Sequence, residues 1–169
     1  MLKFTNIWDV TPETAHPLAK QLIGQSIVWN YGDEDSPLGN DTGADTFAEY
    51  LNFRTNQPDG NIVVFINKKL RGLRIGDTDW DLLDVDRVNE LLRTNDGVNF
   101  LRRDDFIIGL AFAQLLLDGT IHQVVLWRAL IALHRQGLDV VLLFRGGGGL
   151  EARKSQLAGF RRILESVQT

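Results

Sequence analysis

The stretch Phe106–Leu117 contains a single strongly polar side chain, Gln114, among residues that are otherwise apolar or glycine. A helix that is apolar all the way round has no face to offer to water, so it must pass through the middle of a protein and be covered on every side. It is also too short for a membrane, which needs about 20 apolar residues in a row. The rest of the chain must therefore supply its cover. Asp104 or Asp105 precedes the stretch as a capping residue and Gly119 follows it. Thr120 then caps a second segment, Ile121 to Gln136, that stops at Gly137. Two helices joined this closely pack antiparallel, which predicts a central helix hairpin from Asp104 to Gln136.

Flanking segments read mostly as further helices. Thr11-Pro12-Glu13 has a cap, a proline at the first helical position and a first-turn acid, and the helix it opens should end at Gly24. Asn40 or Asp41 caps another, with Ala44, Phe47, Tyr50, Leu51 and Phe53 as its apolar stripe, and Pro58-Asp59-Gly60 closes it. Asp84 opens a short one at Val85. At the C-terminus Leu157, Phe160, Ile163, Leu164 and Val167 recur every three or four residues. Ile62–Ile66 is ambiguous, since its β-branching suits a strand while Leu70 and Leu73 continue a helical spacing. Two runs read as strands: Ser26–Tyr31, β-branched and aromatic between glycines, and Val140–Phe144, five consecutive apolar residues. The expected fold is α+β: a mainly helical single domain over residues 1–169, with the central hairpin and a small β-sheet.

Composition narrows the chemistry. The chain has 169 residues, a usual length for one domain, and no cysteine, which rules out disulfides, thiolate nucleophiles and cysteine-ligated metals. The N-terminal residues lack the apolar core of a secretory signal, so the expected location is cytoplasmic. Charge is uneven: residues 1–90 hold 8 Lys and Arg against 15 Asp and Glu, and residues 91–169 hold 10 against 7. An acidic chain is poorly suited to neutralising phosphates, so no nucleic acid is expected as partner, and no membrane. A protein with a basic surface is.

Four stretches carry candidate chemistry. The order Val140–Phe144, Arg145, Gly146–Gly149 and then a helix is one that can cradle an anion, with Arg145, Gly147, Gly148 and Arg153 as the candidate residues. It lacks the lysine and hydroxyl of a nucleotide-binding loop, and Glu151 would repel a phosphate; the simpler reading is a flexible turn. Asp77-Thr78-Asp79-Trp80-Asp81 resembles the first half of a calcium loop, but Leu82 and Val88 stand where glycine and glutamate are needed, so these acids read as turn and cap residues around a half-buried Trp80. His16, His122 and His134 have no metal-binding spacing, and no serine lies in a nucleophile elbow, so neither metal, cofactor nor catalytic residue is assigned. The acidic loop Asp33-Glu34-Asp35, with Asp41 and Asp45 beyond it, is the densest charge feature. It reads either as a solvated loop or, edged by Trp29 and Tyr31, as a docking surface for a basic protein.

Three stretches together, His16-Pro17, Ser36–Asp45 and Asp104–Gln114, resemble the YfeS-like family of small bacterial proteins. More distantly they are similar to domains marked by a G-x-F-x-N-D-x-A-x-D stretch, with Leu38 here where Phe is common. The resemblance implies a bacterial cytoplasmic protein and a helix over Ile62–Ile66, and it implies no activity. Small size, acidity and the missing catalytic inventory lead to the expectation of a non-enzymatic binding protein, in its sharpest form an immunity protein that blocks an antibacterial toxin. The alternatives are a regulatory module taking an anionic ligand at the 146–149 glycine loop, and an enzyme of unrecognised type.

Overall fold

The computed structural model describes residues 4–146 and 149–167. Helix α1 is Pro17–Ile23, α2 Asp41–Asn56, α3 Ile62–Leu73, α4 Val85–Leu92, α5 Gly97–Asp118, α6 Gln123–Gln136, α7 Asp139–Phe144 and α8 Leu150–Glu165. Single 3-10 turns occupy Ile7–Asp9 and Ile27–Trp29. Among the described residues there is no strand, so the α+β expectation is corrected to all-helical.

Each of the two expected strands fails for a local reason. In Ser26–Tyr31 the Ser26 hydroxyl accepts the Val28 N–H, winding the segment into one turn that buries Val28 and continues into further turns through Asp33. In Val140–Phe144 the apolar run is a helix, α7, with Asp139 in its first turn. Val141 points into one apolar cluster and Leu142 into another. A short apolar run satisfies its backbone as a helix without any neighbouring strand, and periodicity alone does not separate the two cases.

Helix α5 is the axis. It is longer than its apolar stretch implies, starting at Gly97, so Asp104 and Asp105 lie within it and do not cap it. From Arg103 to Leu117 every residue is buried except the half-exposed Asp105. Gly119, at φ +68°, ends it in the left-handed conformation that glycine adopts without strain. His122, in place of Thr120, caps α6 by accepting the Val124 N–H at Nδ1. Hydrogen bonds join Gln114 to His122 at one end and Asp104 to Arg135 at the other, so α6 runs antiparallel to α5 as expected. Helices α1, α2 and α3 also pack on α5, and α8 covers α6. A second, smaller cluster joins α4 and α7 to the start of α5 through Val88, Leu92, Phe100, Leu101 and Val141.

The crossing of α2 and α5 uses two glycines. A Cβ on Gly109 would sit 3.2 Å from the Gly43 Cα, and a Cβ on Gly43 would overlap the Pro37 carbonyl. Only residues without a side chain allow α2, α5 and the Pro37 turn to approach this closely. At the other end of α5 the His16 backbone N–H donates to the Leu116 carbonyl at 2.9 Å, and the His16 ring lies over Gly119. His16 also caps α1, which starts at Pro17 and not at Pro12; Thr11–Ala15 is a turn. The three stretches behind the family resemblance thus converge on α5 as packing elements.

Phe112 is fully buried on α5 and stands edge-on to Phe160 of α8, with ring centroids 5.7 Å apart. Phe112→Ala is expected to cost about 3–5 kcal/mol, the range for truncating a buried phenylalanine. Chemical denaturation checks it, and a loss below ~1 kcal/mol would place this helix at the surface.

Candidate functional site

The acidic loop and the start of α2 form one face. Asn40 caps α2 by accepting the Gly43 N–H at 2.8 Å, and this fixes Asp41 and Asp45 on successive turns. Glu34, Asp41 and Asp45 line an open cleft of roughly 560 Å³, opposite Lys69 and Arg102. Among the described residues these three acids make no ion pair. Asp33 and Asp35 are less free: Asp33 Oδ1 accepts the Asp35 N–H at 2.9 Å, and Asp35 pairs with Arg153 at 3.4 Å.

The aromatic edge of this face differs from expectation. Trp29 is half-buried against the core and its indole N–H donates to the Gly24 carbonyl at 2.9 Å. Tyr31 donates its hydroxyl to the Val10 carbonyl at 2.9 Å, and burial pushes its phenol above the ordinary value. The ring exposed beside them is Trp8, which is 67% accessible and stands edge-on to Tyr31 at 5.9 Å. Its turn packs on α2. The signal for Trp8 lay in Asn6 and Asp9, a capping box around a single turn in which only Ile7 faces inward.

The candidate anion loop is divided. Gly147 and Gly148 lie outside the described residues. Arg145 donates to both oxygens of Asp105 at 2.9 Å, and Arg153 donates to the Asp35 carbonyl at 2.6 Å. Both cations are thus spent inside the chain, and Arg153 ties α8 to the acidic loop.

Helices α2 and α3 splay apart over a second cleft, of roughly 720 Å³, that meets the acidic one at Lys69 and Leu73. Its floor includes Phe53 and Phe65, with ring centroids 5.0 Å apart. Lys69 Nζ bonds Glu49 at 2.7 Å where the two clefts meet. A third depression holds a closed network in which Asp118 accepts the Tyr50 hydroxyl at 2.6 Å and Arg54 at 3.3 Å. Burial, reinforced by Asp118, raises the Tyr50 phenol. No protein family, curated protein or solved structure matches the chain.

The carboxylates at 77–81 lie in the loop before α4, with only Asp81 in a turn and none of them a helix cap, and Trp80 is buried, at 5% exposure, where it was expected to be half-buried. Three arginines hold this segment. Arg103 donates to the Thr78 and Asp79 carbonyls, Arg135 to those of Trp80 and Leu82, and Arg128 pairs with Asp77 at 3.0 Å. Arg103 and Arg128 stack on the Trp80 ring at 4.4 and 4.3 Å. Arg103 Nε and Arg128 Nε and Nη1 are buried without a hydrogen-bond partner, and the ring face is the favourable contact that both guanidiniums keep there. Burial lowers the Arg103 guanidinium to about 10. Asp104, fully buried, takes a bidentate pair from Arg135 at 2.7 and 2.9 Å, while burial pushes its carboxyl upward against that pull.

This pair yields an asymmetric prediction. Asp104→Ala strands the Arg135 charge in the core and is expected to cost about 3–5 kcal/mol. Replacing Asp104 and Arg135 together by leucines should cost less than that single change, since the Arg135 charge leaves with its partner and only the Trp80 and Leu82 carbonyls lose a donor. Denaturation of both variants checks it, and a double variant weaker than Asp104→Ala would contradict the assignment.

Proposed function

We propose that the protein is a non-enzymatic binding protein of the bacterial cytoplasm, which docks a partner with a basic surface on the face of Glu34, Asp41, Asp45 and Trp8. In its most specific form it is an immunity protein that blocks a cognate antibacterial toxin. The observation that carries the reading is the set of three acids, Glu34, Asp41 and Asp45, that line one open cleft and form no ion pair with its two cations, Lys69 and Arg102. Burial supplies no reason for such a set, and like charges held together repel one another and so work against a compact fold. They do raise the rate at which a basic protein arrives and fix how it is oriented.

Trp8 supports the same reading. A tryptophan two-thirds exposed, held edge-on to Tyr31 next to an acidic loop, costs burial energy that the fold does not recover. Tryptophan is enriched among residues that dominate binding energy at interfaces, where it is desolvated by the partner. Acids would govern the encounter, and the ring would govern retention.

The test is binding kinetics with a partner found by crosslinking to the full chain. The variant Glu34→Gln/Asp41→Asn/Asp45→Asn should slow association about tenfold or more at low salt and flatten its salt dependence. Its stability should barely change, because exposed charges contribute little. Trp8→Ala should act on dissociation instead, making it faster. Association of the triple variant at the wild-type rate in low salt would exclude this face.

A further inference from the structure

The two clefts beside α2 share Lys69 and Leu73 in their linings and, taken together as one groove, have unlike ends. Asp41, Asp45, Glu49, Asn52 and Asn56 are spaced four, four, three and four residues apart, so they form a single stripe along the helix. The first two line the acidic cleft and the last three the aromatic one. Lys69 and Leu73 of α3 line both, and the Glu49–Lys69 pair marks the join. At one end are Glu34, Asp41 and Asp45. At the other are Phe53, Phe65, the side-chain amides of α2 and Val64, which is 62% exposed, with Lys68 as the cation there and no acid beyond Glu49.

Gly72 points to an occupant. It lies in the last turn of α3, lines the groove, has no positive φ, and a Cβ added to it would meet nothing within 4 Å. A glycine weakens a helix, and neither backbone conformation nor internal packing requires one here. It leaves the groove wall open to the close approach of another backbone.

We propose that this groove receives an amphipathic helix of the partner protein, apolar at one end and cationic at the other. The apolar end covers Phe53, Val64 and Phe65, and the cationic end lies between Glu34, Asp41 and Asp45. Charge complementarity fixes the direction, because Lys68 repels a cationic segment from the aromatic end while the acids attract it. Arg102 and Lys69 moderate that attraction and leave the three acids in excess. The inference rests on the basic-partner reading and adds to it the element recognised and its orientation. Helix α2, at 16 residues, extends about 24 Å, which a helix of similar length spans.

The probe is a fluorescein-labelled amphipathic peptide of about 16 residues with an apolar stripe in one half and lysines grouped in the other. Its control has the same composition with the lysines shared between the halves. Fluorescence anisotropy is read on the full chain, on Gly72→Trp, which fills the groove, and on Glu34→Gln/Asp41→Asn/Asp45→Asn. Val64→Arg repeats the block at an exposed position should Gly72→Trp lower the melting temperature. The grouped peptide should bind at least tenfold more tightly than its control, and both variants should weaken it at least tenfold. Unchanged binding to the blocked groove, with loss on the triple variant, would overturn the groove and leave the acidic docking face standing. Loss on the blocked groove alone would overturn the orientation. No saturable binding of either peptide to the wild type would overturn the inference as a whole, while the docking face would still be decided by the partner's association rate.

Discussion

Helix α5 has to be enclosed, and the remaining structure follows from that requirement. From Arg103 to Leu117 it offers water only part of Asp105, so its polar groups must be satisfied from neighbouring elements. Gln114 accepts the His122 N–H at the cap of α6, Asp104 binds Arg135 of α6, and Arg103 captures carbonyls of the loop before α4. Each bond draws one covering element into place. Gly109 does the same by absence, since a side chain there would press on Gly43 of α2. The position of α2 is what sets its acids beside the Asp33–Asp35 loop.

Much of this was legible in the sequence. The apolar Phe106–Leu117 stretch, the antiparallel partner up to Gln136, the α2 stripe and the C-terminal helix all rest on periodicity over several turns, where the signal is strong. What failed was short. Ser26–Tyr31 and Val140–Phe144 are too brief for periodicity to act; β-branched and aromatic residues between glycines suggested a strand in the first and five consecutive apolar residues suggested one in the second, and a helical turn buries either run as well. Asp104 misled differently. A carboxylate before an apolar run reads as a cap, and only the distant Arg135 makes it a buried helical residue. Ile62–Ile66 is the opposite case, a β-branched run in helix α3, where Asn61 caps the turn and Ile62, Phe65, Ile66 and Leu70 share a buried face.

The candidate site was legible as charge and obscure as geometry. Asp33, Glu34 and Asp35 stand out in any reading, yet their local pairing differs, because Arg153 from the far end of the chain reaches Asp35 and leaves Glu34 free. The same contact engages one of the two arginines that made the glycine loop resemble an anion site. Trp29 and Tyr31 looked like the aromatic edge because both are near the acids in sequence. A half-buried indole tied to Gly24 serves the fold, whereas Trp8 stays exposed because a capped turn of three residues buries only one of its side chains. Asp41, in the first turn of α2, also stands at the positive end of its dipole, which favours a carboxylate there.

The claim that α5 organises the molecule is tested most directly by native-state hydrogen exchange on the full chain. Amides of the segment Phe106–Leu116 should exchange only through global unfolding and be the most protected, with α4 and α7, in the smaller cluster, opening at lower free energy. If α5 amides exchange as readily as those of α4, or faster than those of α8, the helix is not the enclosed axis and the arrangement built on it is wrong.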